Sequence, residues 1–289
     1  MKTVQARMEA ALAKLLPPLA APPQDLHAAM HYAVLDGGKR VRPLLTFAAG
    51  ELFGARHELL ERAAAAVEMI HAYSLVHDDM PCMDDDALRR GKPTVHVKYG
   101  EATALLVGDA LQAQAFAILC EEADDLEPAR QLHMLRVLAG ASGSLGMCGG
   151  QAIDLASVGH MLDLAQLEQM HRLKTGALLR ASVLLGALCG SRLDERQTAA
   201  LDAYSAAVGL AFQVVDDVLD ATADSATLGK TAGKDAADNK PTYVSILGLD
   251  ASRALAQKLR GDAHVALEVF GASAQRLREL ADLIVQRKA

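Results

Sequence analysis

The sequence predicts an all-α protein, a single-domain helical bundle over residues 1–289, on three observations. The chain is 51% hydrophobic yet 3% aromatic, with no Trp, and Ala and Leu prevail where β-branched residues would mark a sheet protein. Apolar residues recur at three- and four-residue spacing in successive segments. No low-complexity linker and no repeat of roughly 20 to 50 residues separates those segments, which favours one domain.

Taken in order, MKTVQARMEAALAKLL is an amphipathic helix that stops at Pro17-Pro18. Its Glu9 and Lys14 interrupt the apolar run that a signal peptide needs. A second helix spans about Gln24 to Asp36 and ends at Gly37-Gly38. GGKRVRP then places Lys39, Arg40 and Arg42 in a turn before Pro43 opens a third helix, with no acidic partner inside that turn. A long helix from His57 to His77 carries Leu60, Ala64, Val67, Ile70 and Ser74 on one stripe. Further helices are expected over Glu101 to Glu122, Glu127 to about Leu155, Asp163 to about Cys189 and Asp194 to Ala221. Gly140, Gly143, Gly146 and Gly149 recur within the second of these, as a flat face for close packing. The polar stretch Ala221 to Thr242 is expected to be a mobile loop bearing Lys230, Lys234 and Lys240, and helices resume at Tyr243.

The formal net charge of −7 argues against nonspecific nucleic-acid binding, so an anionic ligand needs a local basic cluster or metal ions. Cys82, Cys120, Cys148 and Cys189 are too dispersed for a CxxC motif, and reduced thiols fit a cytoplasmic protein. No span of roughly 18 uninterrupted apolar residues occurs, because Asp109 and Arg180 break the best candidates, so no membrane insertion is expected.

Two acidic clusters stand out. HDDMPCMDDDALRRGKPTVH, from His77 to His96, begins at a helix C-terminus, where the macrodipole disfavours carboxylates and something positive should compensate. In AFQVVDDVLD, Gln213, Asp216, Asp217 and Asp220 fall within an arc of roughly 100° at helical geometry. Apolar stripes flank that arc, and no Lys or Arg lies three or four residues from any of the aspartates. Asp216 and Asp220 stack as like charges, a repulsion on the order of 4 kcal/mol at about 4 Å and an effective dielectric near 20. A hard divalent cation with oxygen ligands turns that repulsion into binding energy, and Mg²⁺ takes one or two carboxylates, water and phosphate oxygens.

Read together, GGKRVRP, HAYSLVHDDMPCMDDDALRRGKPT, GGQAIDL, KTG, AFQVVDDVLD and GKDAADNKPT resemble the short-chain trans-isoprenyl diphosphate synthases, most closely the bacterial farnesyl diphosphate synthases. The resemblance runs in the family's motif order from about Gln24 to the C-terminus. It implies a bundle around a deep central cavity, usually in a homodimer, with about three Mg²⁺ ions (Mn²⁺ being possible) between the carboxylates and an allylic diphosphate. Asp78 and Asp84 match ligands of the first motif, with Asp79 beside them; Asp216 matches the principal ligand of the second, supported by Asp217 and Asp220. Arg89, Lys174 and Lys230 match residues that hold the allylic diphosphate. Lys39, Arg42, His71 and Arg90 match the pocket for isopentenyl diphosphate, and Thr175, Gln213 and Lys240 belong to the substrate-binding motifs. Tyr73 and Ser74, five and four positions before Asp78, match the cavity floor that sets product length.

The implied activity is condensation of isopentenyl diphosphate with dimethylallyl or geranyl diphosphate to a C15 product, by allylic ionisation, alkene attack and proton loss. Geranylgeranyl or geranyl diphosphate synthesis is the alternative. A class I terpene cyclase does not need the second set of cations, and a noncatalytic subunit typically loses an aspartate motif. Among the remaining residues, His77 reads as structural and Cys82 as without a role at a hard metal, while Gln151 and Asp154 are candidates for supporting the site from behind. GGKRVRP lacks Walker A spacing.

Overall fold

The computed structural model describes residues 2–35, 37–124, 126–160, 162–222 and 241–287. The all-α expectation holds. The helices are α1 (Lys2–Leu15), α2 (Gln24–Val34), α3 (Val41–Leu52), α4 (His57–Asp78), α5 (Val95–Tyr99), α6 (Glu101–Cys120), α7 (Pro128–Ser142), α8 (Met147–Ala156), α9 (Leu164–His171), α10 (Ala177–Gly190), α11 (Glu195–Thr222), α12 (Tyr243–Leu247), α13 (Leu249–Ala266) and α14 (Gln275–Gln286). A π-helical turn, Arg172–Gly176, joins α9 to α10, and a 3₁₀ segment, Glu268–Ala274, precedes α14. The chain divides into two compact units, Met1–Val137 with Leu185–Arg192, and Leu138–Leu184 with Leu193–Ala289.

In the first unit α4 packs against α1, α3 and α6. Ala63, Ala64, Ala65, Ala66 and Val67 are fully buried along it, with Leu60, Met69 and Ile70, and the small side chains let neighbouring helices approach. In the second unit α11 packs chiefly on α13. Leu210, Ala211, Val214 and Val215 from α11 share a core with Leu167, Met170, Tyr243, Ala256 and Leu259. Leu210 and Val214 on one side of the second acidic cluster and Val215 on the other are therefore core.

Three sequence expectations need correction. The single helix expected over Glu127 to Leu155 is two, because Gly146 leaves helical geometry at φ −136°, ψ −131° and its backbone runs so close to Ala141 that a Cβ there would stand 2.3 Å from the Ala141 carbonyl oxygen. The four glycines thus do not form one continuous face. The helix expected from Asp163 to Cys189 is interrupted by the π-helical turn that carries Lys174 and Thr175. A two-residue antiparallel hairpin, β1 (Leu88–Arg89) and β2 (Lys92–Pro93), closes on Arg90 and Gly91. Both turn residues have positive φ, 53° and 74°, as the tightest hairpin turns require.

By length and composition, Glu101–Cys120, Leu164–Gly190 and Glu195–Thr222 are long and apolar enough to cross a membrane. The latter two bury 61% and 56% of their most apolar windows inside the fold, so core packing accounts for their hydropathy.

Candidate active site

In the first unit, the helix end and acidic loop expected to need compensation are closed largely by the backbone. The amides of Asp84 and Asp86 donate to the carbonyls of Asp78 and Asp79 at 2.8 and 3.2 Å, and those of Met83 and Asp85 to Met80 at 2.8 and 3.2 Å. These bonds satisfy carbonyls that a helix end leaves open and fold residues 79–86 back over α4. The positive charge comes from Arg89, whose Nε and Nη2 donate to Asp79 at 2.8 and 2.5 Å. Burial opposes the Arg89 charge, but the hydrogen bond and the field of Asp79, with Asp78 and Asp86, hold its pKa above the usual value. The hairpin carrying Arg89 and Arg90 is pinned to α2 by the Tyr32 hydroxyl, which donates to the Pro93 carbonyl at 2.7 Å.

Arg90 lies on the Gly37-Gly38 backbone. A Cβ on Gly38 would come within 2.9 Å of its Nη2, and one on Gly37 within 3.0 Å of its Cδ. Burial first, then the fields of Arg42, Arg90, Arg89 and Arg40, hold the His71 pKa well below its usual value, so His71 is a neutral imidazole in a cationic setting. Arg40 has a different task. It begins α3 at φ 53° and points inward, donating to Glu9 at 2.6 Å, Glu68 at 2.6 Å and the Val34 carbonyl at 2.7 Å. Burial alone would lower its pKa, and the two glutamates outweigh that and raise it. Lys39, by contrast, is exposed.

Tyr73 and Ser74 are both buried on α4. The Tyr73 ring meets His77 edge-on at 5.8 Å, the Ser74 hydroxyl donates to the His71 carbonyl at 2.9 Å, and His77 Nε2 stands 3.1 Å from the Leu105 carbonyl of α6. That packing gives His77 a structural task.

In the second unit, Asp154, Met170, His171, Lys174, Gln213, Asp217, Pro241 and Thr242 line one cavity of about 110 Å³, room for a few water molecules. Lys174 Nζ donates to Asp154 at 2.5 Å, so Asp154 of the GGQAIDL motif holds the lysine of the KTG motif. The two segments touch closely: a Cβ on Gly150 would fall 2.1 Å from the Lys174 amide nitrogen. Replacing Gly150 with Ala must therefore displace backbone, and we expect a loss of about 1–3 kcal/mol in urea unfolding.

The carboxylates of α11 face different surroundings. Asp217 is 4% exposed and accepts from the Tyr243 amide at 2.8 Å and from Gln213 Nε2 at 3.2 Å. Gln213 in turn accepts from the Thr175 hydroxyl at 3.4 Å. Asp220 is buried as well. Asp216 has a side chain 40% exposed and meets Arg287. His171, Tyr243 and Arg287 carried no functional expectation. His171 packs on Tyr243 at 5.4 Å between ring centroids, and its pKa falls to about 4, first through burial and secondarily through Lys174, against a raising pull from Asp154. Lys230 and Lys240 lie outside the described residues.

Among the described residues no group of three or more His, Cys, Asp or Glu side chains is gathered to hold a metal ion. Mg²⁺ does not require such a cage, since one or two carboxylates with water and phosphate oxygens complete its shell. Asp78 and Asp84 in the first unit, and separately Asp216 in the second, each offer hard oxygen donors only, and each fits this ion by its donor chemistry.

The profile of the polyprenyl synthetase family matches residues 23–269. Among curated relatives, the "Probable farnesyl diphosphate synthase" of Sinorhizobium fredii is 53% identical over 95% of this chain and 83% of its own length. The farnesyl diphosphate synthase of Escherichia coli is 48% identical over 96% of this chain and 94% of its own. Among solved structures, an apo FPP/GFPP synthase from Zymomonas mobilis superposes with a TM-score of 0.88 at 44% identity, covering 98% of this chain and 96% of that one. The chain belongs to the polyprenyl synthetase family.

Proposed function

We propose that the chain is a farnesyl diphosphate synthase, condensing isopentenyl diphosphate with dimethylallyl and then geranyl diphosphate. The observation that carries this reading is the cationic setting around a neutral His71, to which Arg42, Arg90 and Arg89 contribute ahead of the inward-turned Arg40, in a protein of net charge −7. A cyclase that binds one diphosphate has no need of it.

In this reading Asp78 and Asp84, with Asp79 beside them, and Asp216, supported by Asp217 and Asp220, hold divalent metal, Mg²⁺ by preference and about three ions. When bound, the metal neutralises charge that builds on the leaving diphosphate as the allylic C–O bond ionises. Lys174, held by Asp154, presents an ammonium to the same oxygens, with Arg89, Lys230 and Lys240 as further cations and Thr175 and Gln213 ordering the turn around it. Lys39, Arg42, Arg90 and His71 bind the second diphosphate, which brings the isopentenyl double bond to the allylic carbon. Preorganised cations favour the ionised state over the ground state, and the buried Ala- and Leu-rich surroundings keep water from the carbocation. The chain's side chains need supply no base, because the released diphosphate can accept the proton.

The product is assigned C15 because Tyr73 is a bulky residue five positions before Asp78 and Ser74 is small. Tyr73→Ala is expected to shift the product toward C20, read by chromatography of dephosphorylated products; an unchanged C15 product would remove Tyr73 from this role. Incubating the wild type with isopentenyl and dimethylallyl diphosphates and separating products by length tests the assignment, and a predominant C10 or C20 product would refute it. We further propose a cytoplasmic homodimer without membrane insertion. Four free cysteines support the compartment. Leu105 and Leu106 of α6, 48% and 54% exposed, continue along that helix through exposed Ala113 and Ala117 and support a self-contact there.

A further inference from the structure

The sequence puts no cation three or four residues from Asp216, and the fold brings one from 71 residues away. Arg287 follows the last residue of α14. Its Nη2 donates to Asp216 Oδ1 at 2.6 Å and to the Phe212 carbonyl at 2.7 Å, and the guanidinium carbon stands 3.9 Å from the centre of the Phe212 ring. Phe212 and Asp216 are one helical turn apart, so a single guanidinium grips a single turn of α11. The Arg287 side chain is 8% exposed, and its Nε is buried with no hydrogen-bond partner among the described residues. Burial lowers its pKa, and Asp216 is the group that opposes the lowering.

Burying an arginine with one N–H unanswered is costly unless a charge partner offsets it. Asp216 is that partner, and the arginine occupies the oxygen expected of a metal ligand. We propose that Arg287 is a positioning residue of the second acidic motif: it holds and orients the Asp216 carboxylate in the metal-free chain and must release Oδ1 when a divalent cation binds. This rests on the reading of Asp216 as a metal ligand. Two cations compete for one carboxylate oxygen, so the coupling is reciprocal: metal weakens docking of the C-terminal arginine, and docking weakens metal binding to the same extent.

The test uses the full-length chain and MnCl₂ alone, with free Mn²⁺ counted by electron paramagnetic resonance. Arg287→Gln is expected to bind Mn²⁺ about five- to tenfold more tightly than wild type. Arg287→Lys, which keeps the charge but loses the planar fork and the stacking, should fall between them. In the reciprocal arm, MgCl₂ is expected to speed carboxypeptidase cleavage of the wild-type C-terminus, while Asp216→Asn is cleaved quickly with or without the metal. Circular dichroism establishes that each variant is folded, and the Lys variant keeps the comparison open if the Gln variant is not.

If Asp216→Asn loses Mn²⁺ affinity while the Arg287 variants bind no more tightly than wild type, the role of Arg287 is overturned and Asp216 remains a ligand. If Asp216→Asn binds Mn²⁺ as wild type does, the reading of Asp216 falls and this proposal falls with it.

Discussion

Asp78→Asn is expected to lower kcat by at least about a thousandfold, the scale of losing a metal-centred charge from a transition state, and Asp216→Asn to do the same. The comparison with Asp79→Asn makes this informative. Asp79 spends its carboxylate on Arg89 through contacts of 2.5 to 2.9 Å, so its loss is expected to act by misplacing the arginine, at a cost of about ten- to a hundredfold. Steady-state kinetics at saturating Mg²⁺ with geranyl and isopentenyl diphosphates would measure all three. An Asp79→Asn variant as impaired as Asp78→Asn would mean that the two carboxylates have not divided their tasks.

The second large effect concerns stability. Arg40 and Glu68 are each 4% exposed and meet at 2.6 Å, while the other partner, Glu9, is 37% exposed. Arg40→Ala leaves Glu68 as a buried charge without its partner, for which about 3–5 kcal/mol is the expected loss. Equilibrium urea unfolding would register it as a lower midpoint. Arg40→Met combined with Glu68→Leu should recover most of that loss, because an apolar pair of similar volume needs no desolvation of charge. A loss under about 1 kcal/mol for Arg40→Ala would place the pair among surface-like ion pairs and contradict the buried-network account.

Much of this was legible in residue order because it depends on local patterning. The α4 and α11 helices fall within a residue of expectation, since apolar periodicity and terminal breakers determine both. The arc of Gln213, Asp216, Asp217 and Asp220 followed from helical geometry alone. What could not be read needed tertiary distance. Nothing near Asp216 announces Arg287, and nothing in GGKRVRP says that its middle cation will turn inward to Glu9 and Glu68. The break at Gly146 was masked by glycines whose three-residue spacing imitates a packing face, although four such glycines within one expected helix already weaken it. The hairpin was missed because two-residue strands leave no alternation to detect; Arg90-Gly91 was the one local signal. Asp217 shares the arc of Asp216 on the wheel, yet its neighbours differ: the Tyr243 amide, 26 residues on, claims it.

The central claim is that this chain joins isopentenyl diphosphate to an allylic diphosphate with divalent metal. The most direct measurement follows isopentenyl diphosphate consumption and diphosphate release with dimethylallyl diphosphate present, in Mg²⁺ and in excess EDTA. The account predicts stoichiometric loss of isopentenyl diphosphate and release of diphosphate in Mg²⁺, and neither in EDTA. No consumption of isopentenyl diphosphate by folded protein in Mg²⁺ would contradict it.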